Sequence, residues 1–378
     1  MSRFFTGFIA ASALLFAGAA CAVNGVTPNQ IVIGQSITLQ GGKNDYGVAV
    51  LAGVQAYLDP VNVRGGVGGR QIVLKTRDDD NRVEVAEANA RALVEQDKVF
   101  LLFGSIEGGP STAVMKAAID LNVPFFGPMA GAPGLRRPFE PLVFPVRAEH
   151  RDEFRALIAQ AHSLGSRKLA FVRSDSEAGV AHLANIKLIC QELGMALVAD
   201  LPFKSGVTDQ QLDQLVTQLE QSGAQTVLNH GSIGVYESVI RKARAKGSKA
   251  AFYGVNSGST QLAKHLGDLA QGMIFSQVVP SPWERKTAIT REYQAEFARA
   301  KPGQDFSYGS LEGYITAKAL VLALRHAGTN LTRDSFLAAL DRVRLDLNGL
   351  TATYTPDYHQ GLTFVDLSIV TRDSKFRH

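Results

Sequence analysis

The stretch VFLLFGSIEGGPSTAVMKAAIDLNVPFF, residues 99–126, decides the fold. Val99–Phe103 is an unbroken apolar run of strand length, and Val123–Phe126 is a second. Between them lie a Gly- and Pro-rich loop, Gly104–Pro110, and a helical pattern, Ser111–Leu121. Strand, loop, helix and strand make a βαβ unit, and neither strand alternates as one with a wet face would. The expectation is a parallel sheet covered by helices on both sides.

The same alternation extends both ways. Upstream come the strand Ile31–Ile37, a helix Tyr46–Asn62, the strand Gln71–Thr76 and a helix Val83–Gln96. Downstream the pattern starts again with the helix His150–Leu164 and strand Leu169–Val172, then runs through Gly179–Leu193, Leu197–Leu201, Asp209–Gln221, Thr226–Asn229, Val235–Ala245, Ala251–Val255 and Gln261–Leu266. Two βα series in succession predict two doubly wound lobes. The tail is less regular, with helices Tyr308–His326 and Ser335–Val343 and a strand-like Phe364–Val370. It reads as chain that recrosses the hinge and completes both lobes.

Length and composition agree. The chain has 378 residues, enough for two domains at ~100–200 residues each. Apolar residues at 46% and charged residues at 20% exclude a disordered, collagen-like or disulfide-scaffold chain. Lys plus Arg exceeds Asp plus Glu by only 39 − 35 = 4, which leaves no footprint for nucleic acid. Residues 1–22 read as a signal peptide: Arg3, an apolar stretch from Phe8 to Ala17, then Ala20-Cys21-Ala22 as a small-x-small cleavage site. Soluble export is favoured over a lipid anchor at Cys21, because Gly18 stands where a lipoprotein signal prefers an aliphatic residue. Cleavage leaves Cys190, inside an apolar helical run, as a lone buried thiol.

Ligands of open α/β sheets sit beyond the carboxyl ends of the strands, so the loops there are the candidate site. They are Thr38–Gly47, Gly104–Thr112, Gly127–Pro133, Ser174–Gly179, His230–Gly234 and Asn256–Thr260. Catalytic patterns are missing: no Walker lysine, no Gly-x-Ser-x-Gly elbow and no His-Glu-x-x-His. Gly65-Gly66-Val67-Gly68-Gly69 follows a helix rather than a strand, the reverse of a dinucleotide loop. His150, His162 and His182 are too dispersed for a local metal motif and read as solvated helix positions. Asp78-Asp79-Asp80 reads as a cap for the following helix, Arg241–Lys246 as a solvated helix end, and Trp283 as packing at the second lobe crossing. No catalytic residue, metal or cofactor is expected.

The export segment, Ile31-Val32-Ile33-Gly34, the run Asn62-Val63-Arg64-Gly65-Gly66-Val67-Gly68-Gly69-Arg70, the strand Ile72–Asp79, the loop Gly104–Thr112, and Val123-Pro124 with Gly127-Pro128 add up to one pattern. The chain resembles periplasmic solute-binding proteins of the leucine/isoleucine/valine type, the type I binding components of ABC importers. The resemblance runs from about Ile31 to Val370 and implies an α/β fold of two doubly wound parallel-sheet lobes joined by a three-crossover hinge. Lobe 1 would hold residues 23–147 plus 281–350, and lobe 2 residues 148–280 plus 351–378. It also implies a periplasmic location, a small-molecule ligand in the cleft, delivery to an ABC permease in the inner membrane, and no chemistry on the ligand.

The family's pocket carries over in part. Tyr46 falls where an aromatic covers the ligand. Ser105, Glu107, Gly108, Gly109, Ser111 and Thr112 stand after strand three, and Met129, Ala130 and Gly131 after strand four. Glycine replaces the family's carboxylate-binding hydroxyls at Gly108 and Gly131. In the second lobe the family's aromatics appear as Ala178 and Ser232, and its ammonium-binding acid as neutral Asn256. Loss of that acid removes a charge-assisted hydrogen bond, on the order of 2–5 kcal/mol. Glu107 either supplies the missing charge or is an exposed loop residue. The expected ligand is therefore a small carboxylate or amide, with an amino acid second. Two other classes stay open: a ligand sensor for a membrane receptor, and a hydrolase pairing Ser257 or Ser111 with His230.

Overall fold

The computed structural model describes residues 25–204, 206–372 and 375–377, so the export segment and Cys21 lie outside the described residues. The first series is β1 (Gln30–Ile37), α1 (Asp45–Val63), β2 (Gln71–Asp78), α2 (Val83–Glu95), β3 (Leu101–Phe103), α3 (Gly108–Asp120), β4 (Phe125–Phe126) and β5 (Val143–Phe144). Its strands form one parallel sheet in the order β2-β1-β3-β4-β5. Successive side chains of β1 show why the strands read as continuously apolar. Ile31 and Ile33 pack with Val54 and Leu58 of α1, while Val32 packs with Leu93 of α2. Both faces are buried.

The second series is α4 (His150–Ser163), β6 (Lys168–Ser174), α5 (Glu177–Leu193), β7 (Ala196–Phe203), α6 (Asp209–Ser222), β8 (Thr226–His230), α7 (Ile233–Ala245), β9 (Ala251–Gly254), α8 (Ser259–Leu266) and β10 (Ile274–Gln277). Then come α9 (Ala288–Ala300), α10 (Tyr308–Ala327), α11 (Arg333–Leu340), β11 (Arg344–Asp346), β12 (Thr351–Thr355), β13 (Tyr358–Gly361), β14 (Asp366–Val370) and β15 (Phe376–Arg377). The second sheet runs β15-β14-β10-β9-β8-β6-β7, with β14 and β15 antiparallel. Strands β11–β13 form a small antiparallel sheet beside β5.

The expected α/β fold with parallel sheets in two lobes is what the chain adopts. The parallel part of each sheet has the same order, with the second βα unit placed outside the first and the third on the other side. In each lobe the winding direction therefore reverses beside the first strand, at β1/β3 and at β6/β8. The chain passes between lobes after β5, after β10 and after β13, so residues 351–361, expected in lobe 2, sit instead with β5 of lobe 1 through the small sheet. Trp283 packs on the second passage, stacked on Phe376 at 5.7 Å and edge-on to Tyr308 at 5.3 Å. Cys190 is buried among Ile186, Ile189 and Phe171, and burial pushes its thiol up to about 11.

Candidate functional site

Both reversals of winding face the contact between the lobes. In the first, Asp78 and Asp79 fix the loop after β1. Asp78 accepts from the backbone N–H of Leu39, Gln40 and Gly41, and buried Asp79 accepts from Thr38 Oγ1 at 2.6 Å. This corrects the capping role expected of the aspartates: α2 begins after Arg82 with no side-chain cap. The loop after β3 brings Glu107 into a left-handed conformation, φ 64°, a strain of the kind that concentrates at binding loops. Its carboxyl is pushed up to about 7, first by burial and then by Asp79. Ser111 Oγ, at the start of α3, accepts from Ser105 Oγ at 2.7 Å.

A close helix contact builds the centre of the site. A Cβ on Gly53 of α1 would stand 1.8 Å from the Ser310 carbonyl of α10, and one on Gly313 would stand 2.2 Å from the Val50 carbonyl. With both side chains missing, the helix axes approach and Tyr46 Oη donates to Glu312 Oε2 at 3.0 Å. Asn256, following β9 in the other lobe, donates through Nδ2 to the same oxygen at 2.8 Å. Its backbone N–H donates to Glu153 Oε2 at 2.9 Å, as does Ser276 Oγ at 2.7 Å. Arg147, on the first passage between lobes, pairs with Glu153 Oε1 and lies 3.6 Å from Glu312 Oε1.

These charges are all buried, with Arg147, Glu153 and Glu312 no more than 1% exposed. Burial alone would raise the Glu153 carboxyl, but Arg147 and then His150 outweigh it and hold it at about 2. For Glu312 burial wins over the more distant Arg147, and its carboxyl stays raised. Glu312 Oε1 and Asn256 Oδ1 are buried without a hydrogen-bond partner.

His150 and His182 are not solvated. Both are buried, with His230 beside them; only His162 is partly exposed. The reason is three-dimensional: the first residue of α4, the middle of the first half of α5 and the last residue of β8 converge on one point. Burial pushes all three imidazoles below their ordinary range, to about 3 for His230.

Of the residues expected to line the site, Tyr46 and Met129 pack together, with Asn256 reaching Glu312 from the opposite lobe. Gly108 faces Ala178 across the lobes, where a Cβ would stand 3.9 Å away. Gly131 lies against His150, its carbonyl accepting from the His150 N–H at 3.0 Å. Ser105 and Ser111 are buried beneath the loop, and Thr112 Oγ1 donates back to the Gly108 carbonyl at 2.8 Å. Ala130 sits in the first-lobe core, Gly109 turns toward Val83 of α2, and exposed Ser232 caps α7. Sequence reasoning missed Arg147, Glu153 and Glu312. The signal for the last was present: Glu312 is the single acid in the twenty residues of α10.

Comparison with known proteins bears on this geometry. The sequence pattern of the family described as periplasmic binding protein matches residues 30–371. A Leu/Ile/Val-binding protein homolog 1 of Brucella abortus (strain 2308) is 24% identical over 334 residues, 86% of this chain and 84% of that one. A substrate-binding periplasmic protein from Ralstonia solanacearum superposes with a TM-score of 0.83 at 23% identity, covering 92% of this chain and 99% of the other. A fatty acid ABC transporter substrate-binding protein from Thermomonospora curvata gives 0.82 at 20% identity, with 93% and 91% covered.

Proposed function

The chain belongs to the periplasmic binding protein family, and from that premise we propose that it captures a small polar solute between its lobes and delivers it to an ABC permease. The observation that supports this most is the pair of buried acceptors without a hydrogen bond, Glu312 Oε1 in one lobe and Asn256 Oδ1 in the other. A buried acceptor without a donor is costly, so a solute N–H or O–H bound there recovers what closure would otherwise lose. The solute class is therefore one bearing an ammonium, amide or hydroxyl group. Its carboxylate, if present, would turn to the uncapped start of α3. The ammonium-binding acid that the family resemblance puts at position 256, neutral Asn256 here, has its counterpart in Glu312 of α10. Among relatives of this fold one is named for branched-chain amino acids and another for fatty acids, so these side chains, not the fold, select the ligand.

Delivery to a permease implies export, which the signal-like residues 1–22 support. A hydrolase finds no support. Ser111 Oγ is engaged by Ser105 Oγ and the Ile106 carbonyl, Ser257 Oγ accepts from Arg147, and neither hydroxyl hydrogen-bonds His230 among the described residues.

Thermal-shift screening of refolded protein against amino acids, small amides, hydroxy acids, simple carboxylates and fatty acids tests the proposal. At 100 times its dissociation constant a true solute adds about 2.7 kcal/mol, a rise of a few degrees for a protein of this size. Glu312→Gln should weaken that solute at least tenfold. A shift with fatty acids alone, or with nothing in the panel, would overturn the proposed solute class.

A further inference from the structure

The three buried histidines have no role in the solute site as built from Tyr46, Asn256 and Glu312. One ring nitrogen from each lies within 4.8 Å of those of the other two. Ring centroids are 4.1 Å apart for His182–His230, 5.2 Å for His150–His182 and 5.3 Å for His150–His230. Both nitrogens of His182 and Nδ1 of His230 are buried without a hydrogen-bond partner. Aromatic packing on Phe154 accounts for the ring shapes, since its centroid is 5.3 Å from that of His182. It does not account for the nitrogens: phenylalanine or leucine would fill the same space with no polar atom left unbonded.

His150 adds an independent feature. Its Nδ1 lies 2.8 Å from Glu153 Oε1, which orients the ring and leaves Nε2 as the nitrogen not engaged by that carboxylate. A carboxylate behind an imidazole is the arrangement that fixes metal-ligating histidines. Here the carboxylate is itself held by Arg147, Ser276 and the Asn256 backbone, so the ring is anchored from behind. Gly131 of the first lobe packs directly on that ring, where a Cβ would come within 2.5 Å of His150 Cγ. The cluster thus lies where the lobes meet.

We propose that His150, His182 and His230 form a three-imidazole site for a divalent transition-metal ion. Neutral nitrogen donors suit Zn²⁺, Ni²⁺ or Cu²⁺, whereas Ca²⁺ and Mg²⁺ take oxygen. Tetrahedral Zn²⁺ with Zn–N of about 2.0–2.1 Å brings ligand nitrogens to roughly 3.3 Å apart, so modest ring rotations close the site. Three protein ligands leave one position for water or another group.

The test uses untagged full-length protein stripped with chelator and titrated with Zn²⁺ in the absence of any solute. One high-affinity ion per chain is expected, with no matching uptake of Ca²⁺ or Mg²⁺. His182→Leu and His230→Leu should each weaken Zn²⁺ at least ~100-fold, beyond the 10–100-fold that loss of a supporting group costs. His162→Ala, outside the cluster, should bind as the parent does. Should a variant fail to fold, Co²⁺ added to the unaltered chain provides the second measurement: tetrahedral nitrogen ligation gives intense visible bands. Zn²⁺ binding that survives both leucine substitutions, or Co²⁺ that stays pale and octahedral, overturns the proposal. The solute screen is run in chelator, so failure of one proposal leaves the other standing.

Discussion

The arginine–carboxylate group at the hinge and the histidine trio beside it are both buried, both polar and both in contact with Glu153. In the first, every charge faces an opposite charge or a donor, and the Glu153 carboxyl is held far below its ordinary range. In the second, burial disfavours the charged form of each ring and the nitrogens of His182 touch no partner. The difference separates two uses of buried polarity. A compensated cluster fixes one geometry, because removing a member strands a charge. In the histidine cluster no charge is stranded and the unbonded nitrogens can coordinate a metal, just as the unbonded Glu312 Oε1 and Asn256 Oδ1 of the first can accept from a solute.

The largest effect expected from this contrast is in Arg147→Met. It leaves Glu153 and Glu312 buried without a cation, and urea unfolding should show a loss of about 3–5 kcal/mol. A loss below about 1 kcal/mol would dissolve the distinction between the two clusters. Asn256→Asp comes next. The family resemblance predicts that this restored acid promotes leucine binding. The structure sets the new carboxylate against Glu312, 2.8 Å away, so melting should reveal a loss of about 1–3 kcal/mol and leucine titration no gain.

Glu107 sharpens the comparison from the other side, as an acid whose burial no cation opposes. Its folded value of about 7 exceeds the ordinary 4.5 of the unfolded chain. The folded state therefore holds more protons between those values, and stability falls as pH rises through that window. Glu107→Gln should remove this dependence, gaining up to about 3 kcal/mol over the parent at pH 8 relative to pH 4 in paired melts. The smallest effect belongs to His182→Leu without metal. Because it deletes unbonded nitrogens rather than a paired charge, its stability should stay within about 1 kcal/mol of the parent.

What sequence made legible follows from where the physics is local. Parallel strands buried on both faces are continuous apolar runs, so β1, β3 and β6 stand out, and each is followed by a helix of clear period. Strands of two residues, such as β5, carry no period, and β10 ends in Ser276 and Gln277, polar yet fully buried. The site was harder to see for a related reason. Glu153 sits in the run His150-Arg151-Asp152-Glu153, which reads as a solvated helix start; only packing against β10 turns one of those charges inward. The histidines come from three elements, and no spacing along the chain shows that they converge.

Trp283 gives the hinge a gauge of its own. The single tryptophan of the chain stacks on Phe376 of β15, in the second sheet, and stands edge-on to Tyr308 of α10, which packs against α1 of the first lobe. Its indole is 39% exposed, midway between core and water. Relative rotation of the lobes must change its stacking partner, its solvation or both. Emission from this one residue would therefore report any rotation of one lobe against the other in unlabelled protein, and Trp283→Phe is the matching dark control.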